Sequence, residues 1–562
     1  MIDPEQPLSR RAAREAEAAA RRRSPQSTPT PDDSPASEVP TQLMGAAPTQ
    51  LMGAAPTEAL GAAPTEVLGA TAPLGDTAAA PDAEAPAAKK GIGAFVRQHP
   101  RAVLTTALSV AFLLLGSAAV FAGIAVGSAQ ATPVPVPTII ETAEPDPRPM
   151  PTAMADPSRL RTCSISQLAV DERLVEFYGS VVNASTGEVL WDRRADTAVR
   201  TGSVLKVITA AAALATLGPD YRMTTRVVAG STPGTVVLIG GGDATLSRVG
   251  PGQESIYRGA PKLADLAAQT VAAYAAANPD EPGITNLVLD STYWNPADNW
   301  HDTWNRDRIS AGFQAPATAL MVDGDRNDPR AQTSARSNDP IARAGQWFAQ
   351  ALADAGNPAG VPTISTGAAV GGTLLGQVQS QPVSVLIGQM LPNSDNTLGE
   401  MLARVTSRVI GLDGSTSSLT QAITGSLNTY GVSTAGLVIK DGSGLATDNA
   451  VPARYMAQLF AVINTRERNL GYIMDALPVA GQSGTLASRF TGSNAVARGN
   501  VIAKTGWLRS AYSLSGVIRA ADGTPLTFAF YSVRDGIPES AKTAQDTLAA
   551  AIFNCGDNLS NN

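Results

Sequence analysis

Beyond about residue 160 the order of apolar and polar residues changes period several times. The run "VEFYGSVVNASTGEVLWDRRAD" alternates apolar and polar positions around "STGE", which predicts a strand, a turn and a second strand. "TGSVLKVITAAAALATLG", Thr201 to Gly218, is apolar almost throughout and predicts a buried helix. Near the other end, "NVIAKTGWL", "AYSLSGVIRA" and "PLTFAFYSV" predict three successive strands, with "ADGTP" as the tight turn before the last. A helical stretch from Glu539 to Phe553 follows. Strands from both ends of this region, together with helices, predict an α+β domain on an antiparallel sheet. Between them, residues 219–379 mix strand-like runs ("GTVVLIGGGDATL", "ITNLVLD") with Ala-rich helical ones and read as an inserted α/β region.

The N-terminal part has a different texture. Ala102 to Gly127, "AVLTTALSVAFLLLGSAAVFAGIAVG", carries no charge, and a bilayer needs about 20 apolar residues, so it reads as a transmembrane helix. Lys89, Lys90, Arg97 and Arg101 precede it, which places residues 1–101 in the cytoplasm and the rest outside. The competing reading is a signal peptide cleaved after "AQA" (Ala129 to Ala131); the length of the apolar run and the long segment before it favour an uncleaved anchor. Residues 1–88 have a disordered composition with an eight-residue repeat beginning at Pro40 ("PTQLMGAA" twice, then "PTEALGAA" and "PTEVLGAT"). The repeats read as a slipped low-complexity tail or, through Thr41, Thr49, Thr57 and Thr65, as kinase or partner sites, the partners being unassigned. The expected order is a tail over 1–101, a span over 102–127, a Pro-rich linker over 128–157, a folded domain in two parts (158–218 and 380–555) around the insertion, and a short tail over 556–562.

Composition narrows the chemistry. The chain of 562 residues has a net charge of −7, which gives no support for nucleic-acid binding. With 2 cysteines and 2 histidines there is almost no material for a zinc site, and no EF-hand spacing occurs, so neither metal nor cofactor is expected. A Ser-His-Asp triad would have to use His301, since His99 precedes the folded region. Cys163 and Cys555 stand near the two ends of that region, and in an oxidising compartment such a pair is expected to form a disulfide, bringing the ends side by side.

Ser203 and Lys206 are three residues apart at the start of the apolar helix, so they share a face and can touch. An ammonium buried there needs a partner or must become neutral. Of seven lysines, Lys206 alone has a serine three positions before it, and Lys504 alone is followed by Thr-Gly. Ser394-Asp395-Asn396 lies between them, just before a helical run. Each motif is weak by itself; SxxK, SxN and KTG in this order are a strong signal for nucleophilic serine chemistry.

With this trio the chain resembles the penicillin-binding-protein/β-lactamase superfamily. Within it, the chain is similar to the D-alanyl-D-alanine carboxypeptidase/endopeptidases of the class C low-molecular-mass penicillin-binding proteins, the peptidase S13 type. "LIGGGDATL", "DGSGLATDN", "LPVAGQSGTLASRF" and "NLVLDSTYW" followed by "GFQAPATALMVD" carry the likeness, as does the long separation of Ser203 from Ser394. The likeness covers about residues 160–555 and nothing before them.

The resemblance implies an acyl-enzyme on Ser203, with Lys206 as base, neutral through desolvation and the nearby Lys504. It also implies that Ser394 relays a proton to the leaving amine, that Asn396 holds Lys206 and the substrate amide, and that Lys504 and Thr505 take the terminal carboxylate. Gly506 and Trp507 complete the substrate strand, with the N–H groups of Ser203 and Trp507 as the oxyanion hole. Trp507 departs from the family, which has a small hydroxyl residue after KTG. Asp307, in the loop "YWNPADNWHDTWNRD", is the expected acceptor for the free amine of the stem peptide; Asp395 is read as a helix cap and Asp441-Gly442-Ser443-Gly444 as a turn. The substrate is then peptidoglycan, cleaved as a carboxypeptidase and by extension at cross-links, with β-lactams as inhibitors. A β-lactamase, or a catalytically weak sensor of muropeptides or β-lactams, are the alternatives.

Overall fold

The computed structural model describes residues 160–561. The expected tail over 1–101, the membrane span at Ala102–Gly127 and the Pro-rich linker over 128–157 all lie outside them. Among the described residues no helix is long and apolar enough to cross a membrane.

The first strands are β1 (Glu176–Asn183), β2 (Val189–Arg193) and the two-residue β3 (Ala198–Val199). A turn of 3-10 helix over Gly202–Val204 then leads into α1 (Leu205–Thr216). The inserted region holds β4 (Thr224–Ala229), β5 (Thr235–Ile239), α2 (Leu263–Ala277), β6 (Asn286–Asp290), α3 (Pro340–Asp354), β7 (Thr363–Thr366) and β8 (Leu374–Gln379). The chain continues through α4 (Val383–Asn393), α5 (Asn396–Val409), α6 (Leu419–Leu427), β9 (Val451–Pro452) and α7 (Ala453–Asn464). It closes with β10 (Val501–Leu508), β11 (Ala511–Arg519), β12 (Pro525–Val533) and α8 (Ser540–Cys555).

The main sheet is antiparallel throughout, in the order β10-β11-β12-β1-β2, so strands from both ends of the domain lie side by side. Its strands are apolar on both faces because both are covered. Phe177, Val181, Phe528 and Phe530 pack with Leu548 and Ile552 of α8. The alternate residues Tyr178, Val182, Ala529 and Tyr531 pack into a second core with Met456 and Phe460 of α7. In that second core α1 is buried from Leu205 to Leu214, as a helix apolar on every side must be.

The inserted region builds its own five-stranded sheet, β7-β6-β5-β4-β8, with parallel β5-β6 and β6-β7 pairs and antiparallel β4-β5 and β4-β8 pairs. Val227, Leu238, Leu287 and Leu289 cover this third core with Leu266 of α2 and Phe348 of α3. Cys163 and Cys555 form a disulfide with Cα atoms 5.5 Å apart.

Candidate active site

Ser203 lies within the 3-10 turn before α1, not in the α-helix itself, and Lys206 is the second residue of α1. The tighter turn places Lys206 Nζ 2.9 Å from Ser203 Oγ. Gly202 makes this turn possible, with φ of +53°; a Cβ there would stand 2.9 Å from the backbone N of Trp507. Gly506 meets it from the other side, where a Cβ would collide with the Thr201 carbonyl. Two glycines therefore let β10, the edge strand of the main sheet, pass directly beside the serine.

Lys206 is fully buried. Besides Ser203, its Nζ donates to Asn396 Oδ1 at 2.7 Å and to the Ser443 carbonyl at 2.6 Å. Burial pushes its pKa down to about 8; Asp441, Asp395 and Glu400 pull the other way, and the Arg308 cation adds to the lowering.

Ser394 and Asn396 flank the break between α4 and α5. Ser394 closes α4 in the left-handed region at φ 55°, a conformation that costs a non-glycine residue on the order of 1 kcal/mol. Asp395 caps α5, accepting from the Leu398 N–H at 3.1 Å, and pairs with Arg326 at 2.8 Å. Burial opposes ionisation of Asp395, but Arg326 and Arg336 outweigh it and hold the carboxyl below its ordinary range.

From β10, Lys504 donates to Ser394 Oγ and to the Thr505 carbonyl, each at 2.9 Å. Thr505 Oγ1 bonds Thr485 Oγ1 at 2.8 Å. Lys504 is fully buried, and burial followed by the proximity of Lys206 drives its pKa well below the usual lysine value. Of the two causes the sequence reading gave for a neutral Lys206, desolvation and Lys504, burial is the leading one; Arg308 is a further cation that lowers Lys206, and the two buried lysines repel each other.

This is a serine, an amine that can accept its proton and a second serine-lysine pair, gathered at a sheet edge. Residues 162–336 and 326–553 match the D-Ala-D-Ala carboxypeptidase 3 (S13) family. The chain belongs to that family. A carboxypeptidase of Mycobacterium tuberculosis is 36% identical over 403 residues, 70% of this chain and 84% of that protein. Carboxypeptidase DacB of Mycolicibacterium smegmatis is 35% identical over 462 residues, 81% of this chain and 97% of that protein. The crystal structure of penicillin binding protein 4 from Haemophilus influenzae aligns with a TM-score of 0.56 at 21% identity, over 69% of this chain and 97% of that one. Its structure complexed with a β-lactam aligns with a TM-score of 0.52. Both share this α+β fold.

Within this S13 chain, the expected residues Ser203, Lys206, Ser394, Asn396, Lys504, Thr505 and Gly506 all fall in one cluster. Trp507 is at its rim, 51% exposed, and lines a cleft of about 350 Å³ with Asp307, Arg308, Phe313 and Leu445. Asp307 opens a short helical turn (Asp307–Ser310) and accepts from Asn305 Nδ2 at 3.3 Å. Arg308 stacks over the Trp507 ring at 5.7 Å. His301 bonds Thr303 at 3.0 Å and lies 3.7 Å from Asp448.

Three contributors escape a reading of the sequence. The first is the Ser443 carbonyl, which belongs to a turn that sequence reading leaves off the site. The second is Arg308, next to the residue singled out in its loop. The third is Glu400, whose only signal is an acid inside the apolar run "NTLGEMLARV". Burial, then Asp441, pushes Glu400 up to about 8.

Proposed function

We propose that this chain is a serine-type D-Ala-D-Ala carboxypeptidase that acts on peptidoglycan stem peptides through an acyl-enzyme on Ser203. The observation that carries the reading is the chain of contacts linking Ser203, Lys206 and Asn396 on one side and Ser394 and Lys504 on the other.

Lys206 takes the Ser203 proton as Oγ attacks the carbonyl carbon between the two D-alanines. The oxyanion forms under the N–H groups of Ser203 and Trp507; losing one such donor costs about 3 kcal/mol. Ser394 Oγ passes a proton to the departing amine, the C–N bond breaks, and free D-alanine leaves an ester on Ser203. Water then hydrolyses the ester and returns the serine hydroxyl. Lys504 and Thr505 receive the terminal carboxylate, and the open edge of β10 lets the peptide lie as an added strand. A β-lactam offers the same site a strained amide, and a cross-link endopeptidase would cleave the same type of D-alanyl bond. Asp307 and Arg308 together suit the far end of a stem peptide that carries both an amine and a carboxylate.

The charge-free run Ala102–Gly127, with Lys89, Lys90, Arg97 and Arg101 before it, supports a single-pass anchor with a cytoplasmic N-terminus and the catalytic domain outside. The Cys163–Cys555 disulfide suits that oxidising side.

The deciding experiment is the intact mass of the full chain after penicillin, for wild type and Ser203→Ala. A stable penicilloyl adduct on wild type alone supports the reading, and D-alanine release is then assayed. Rapid loss of penicillin without an adduct would point to a β-lactamase. Unmodified protein beside intact penicillin would point to a sensor.

A further inference from the structure

Lys206 Nζ has three oxygen partners, and one of them alone carries a proton to give. Asn396 Oδ1 and the Ser443 carbonyl can do nothing but accept, whereas Ser203 Oγ is a hydroxyl. Asn396 is fixed in that orientation because its Nδ2 donates to the Phe313 carbonyl at 2.9 Å. A neutral amine has two N–H groups and one lone pair. With both N–H groups given to Asn396 and Ser443, the lone pair is left facing Ser203. The direction of the base thus depends on a backbone carbonyl as much as on the asparagine.

That carbonyl belongs to the Ser443-Gly444 peptide, whose N–H is held by Asp441, and Glu400 holds the two peptides just before it. Oε1 of Glu400 accepts from the N–H of Gly442 at 2.8 Å and of Ser443 at 3.0 Å. Its other oxygen is buried without a hydrogen-bond partner, 3.9 Å from Arg404 Nε, which also lacks one. Glu400 is 2% exposed and lies one turn beyond Asn396 on α5. A half-satisfied buried carboxyl is costly, and a leucine would suit an apolar helix face better. Gly442 packs hard on the same helix, where a Cβ would strike the Gly399 carbonyl. Asp441, at the head of the turn, accepts from the Gly444 N–H at 2.7 Å and the Ala446 N–H at 2.6 Å, so two acids hold the turn.

We propose that Glu400 is a positioning residue for acyl transfer: by holding the N–H groups of Gly442 and Ser443 it fixes the turn from which the next carbonyl, that of Ser443, reaches Lys206, and so aims the Lys206 lone pair at Ser203. This rests on the reading of Ser203 and Lys206 as nucleophile and base.

The test uses the full chain as wild type, Glu400→Leu and Glu400→Gln. Stopped-flow reaction with a fluorescent penicillin separates the affinity of the non-covalent complex from the acylation rate constant, and a thermal melt reports folding. Glu400→Leu should acylate more slowly by on the order of ten- to a hundredfold, with its non-covalent affinity held. Glu400→Gln, which keeps the accepting oxygen, should stay within a few-fold of wild type. A wild-type rate in Glu400→Leu, an equal loss in both variants, or a loss that matches the unfolded fraction would each overturn the proposal. Where Glu400→Leu does not fold, Glu400→Asp replaces it, since its oxygens are withdrawn by one methylene, and the same loss is expected. A wild-type protein that forms no adduct would overturn the acyl-transfer reading itself, and this inference with it.

Discussion

Arg326 and Asp395 form a buried ion pair at 2.8 Å, and through it the inserted region grips the turn that carries Ser394 and Asn396. Tyr257 reinforces it, its hydroxyl lying 2.7 Å from Arg326 Nη1 and 3.2 Å from Asp395 Oδ2. The insertion is therefore part of the machinery that shapes the site.

Removing one partner of such a pair leaves a buried charge without compensation. Arg326→Met should lower unfolding free energy by about 3–5 kcal/mol, read by denaturant titration. The pH dependence has a definite sign. The folded-state pKa of Asp395 is lower than its unfolded value, so its contribution is fully present above about pH 4 and is lost as pH falls further. A wild-type advantage over Arg326→Met that instead disappeared between neutral and alkaline pH would contradict this account.

In the proposed mechanism acylation requires neutral Lys206, whose pKa burial pushes down to about 8. The second-order rate constant for penicillin acylation should rise about tenfold per pH unit below that value and level off above it. Arg308 is one of the influences that lower Lys206, so Arg308→Met should move the midpoint to higher pH. A profile from about pH 6 to about pH 10 checks both statements, and an acid shift in the variant would refute the second.

Gly202→Ala should slow acylation by on the order of a hundredfold, the cost typical of displacing a reacting group by about an ångström. The added methyl would sit 2.9 Å from the Trp507 nitrogen at a φ of +53°, so either the serine turn or β10 must move. Unchanged kinetics in a folded Gly202→Ala protein would mean that the close approach of β10 is not needed for catalysis.

Trp507 acts through two separable parts. Its N–H belongs to the backbone and survives substitution, while its indole stacks with Arg308 in the cleft. Trp507→Thr should therefore raise KM for a stem peptide roughly fivefold, from loss of about 1 kcal/mol of stacking, with a smaller change in kcat. A collapse of kcat at constant KM would assign the indole a role in the chemical step.

Much of this architecture could be read before any coordinates. The three strands β10, β11 and β12 were legible because both of their faces are apolar, and Ser203 and Lys206 because helical spacing puts them on one face. What stayed hidden has a common physical cause. The Ser443 carbonyl is a backbone group, and any residue type would supply it. Arg326 and Asp395 are separated by 69 positions, and one ordinary arginine looks like another until the fold brings it to its partner. Glu400 drew no notice in the sequence because its two acceptor contacts are to amides of a distant loop. The 3-10 geometry at Gly202–Val204 was missed for a similar reason: the approach of β10 shapes that turn, and a local sequence does not record which strand will pass beside it.

The disulfide has a consequence for what happens when the folded domain is cut. Ser203, Ser394 and Lys504 all lie inside the loop closed by Cys163 and Cys555, as do the long connections of the inserted region. A protease that nicks any one of those connections produces two segments still joined by a covalent bond, so no motif can diffuse away from the others. Such a nicked molecule would run as one band on a non-reducing gel and as two after reduction, with its serine still able to take up penicillin.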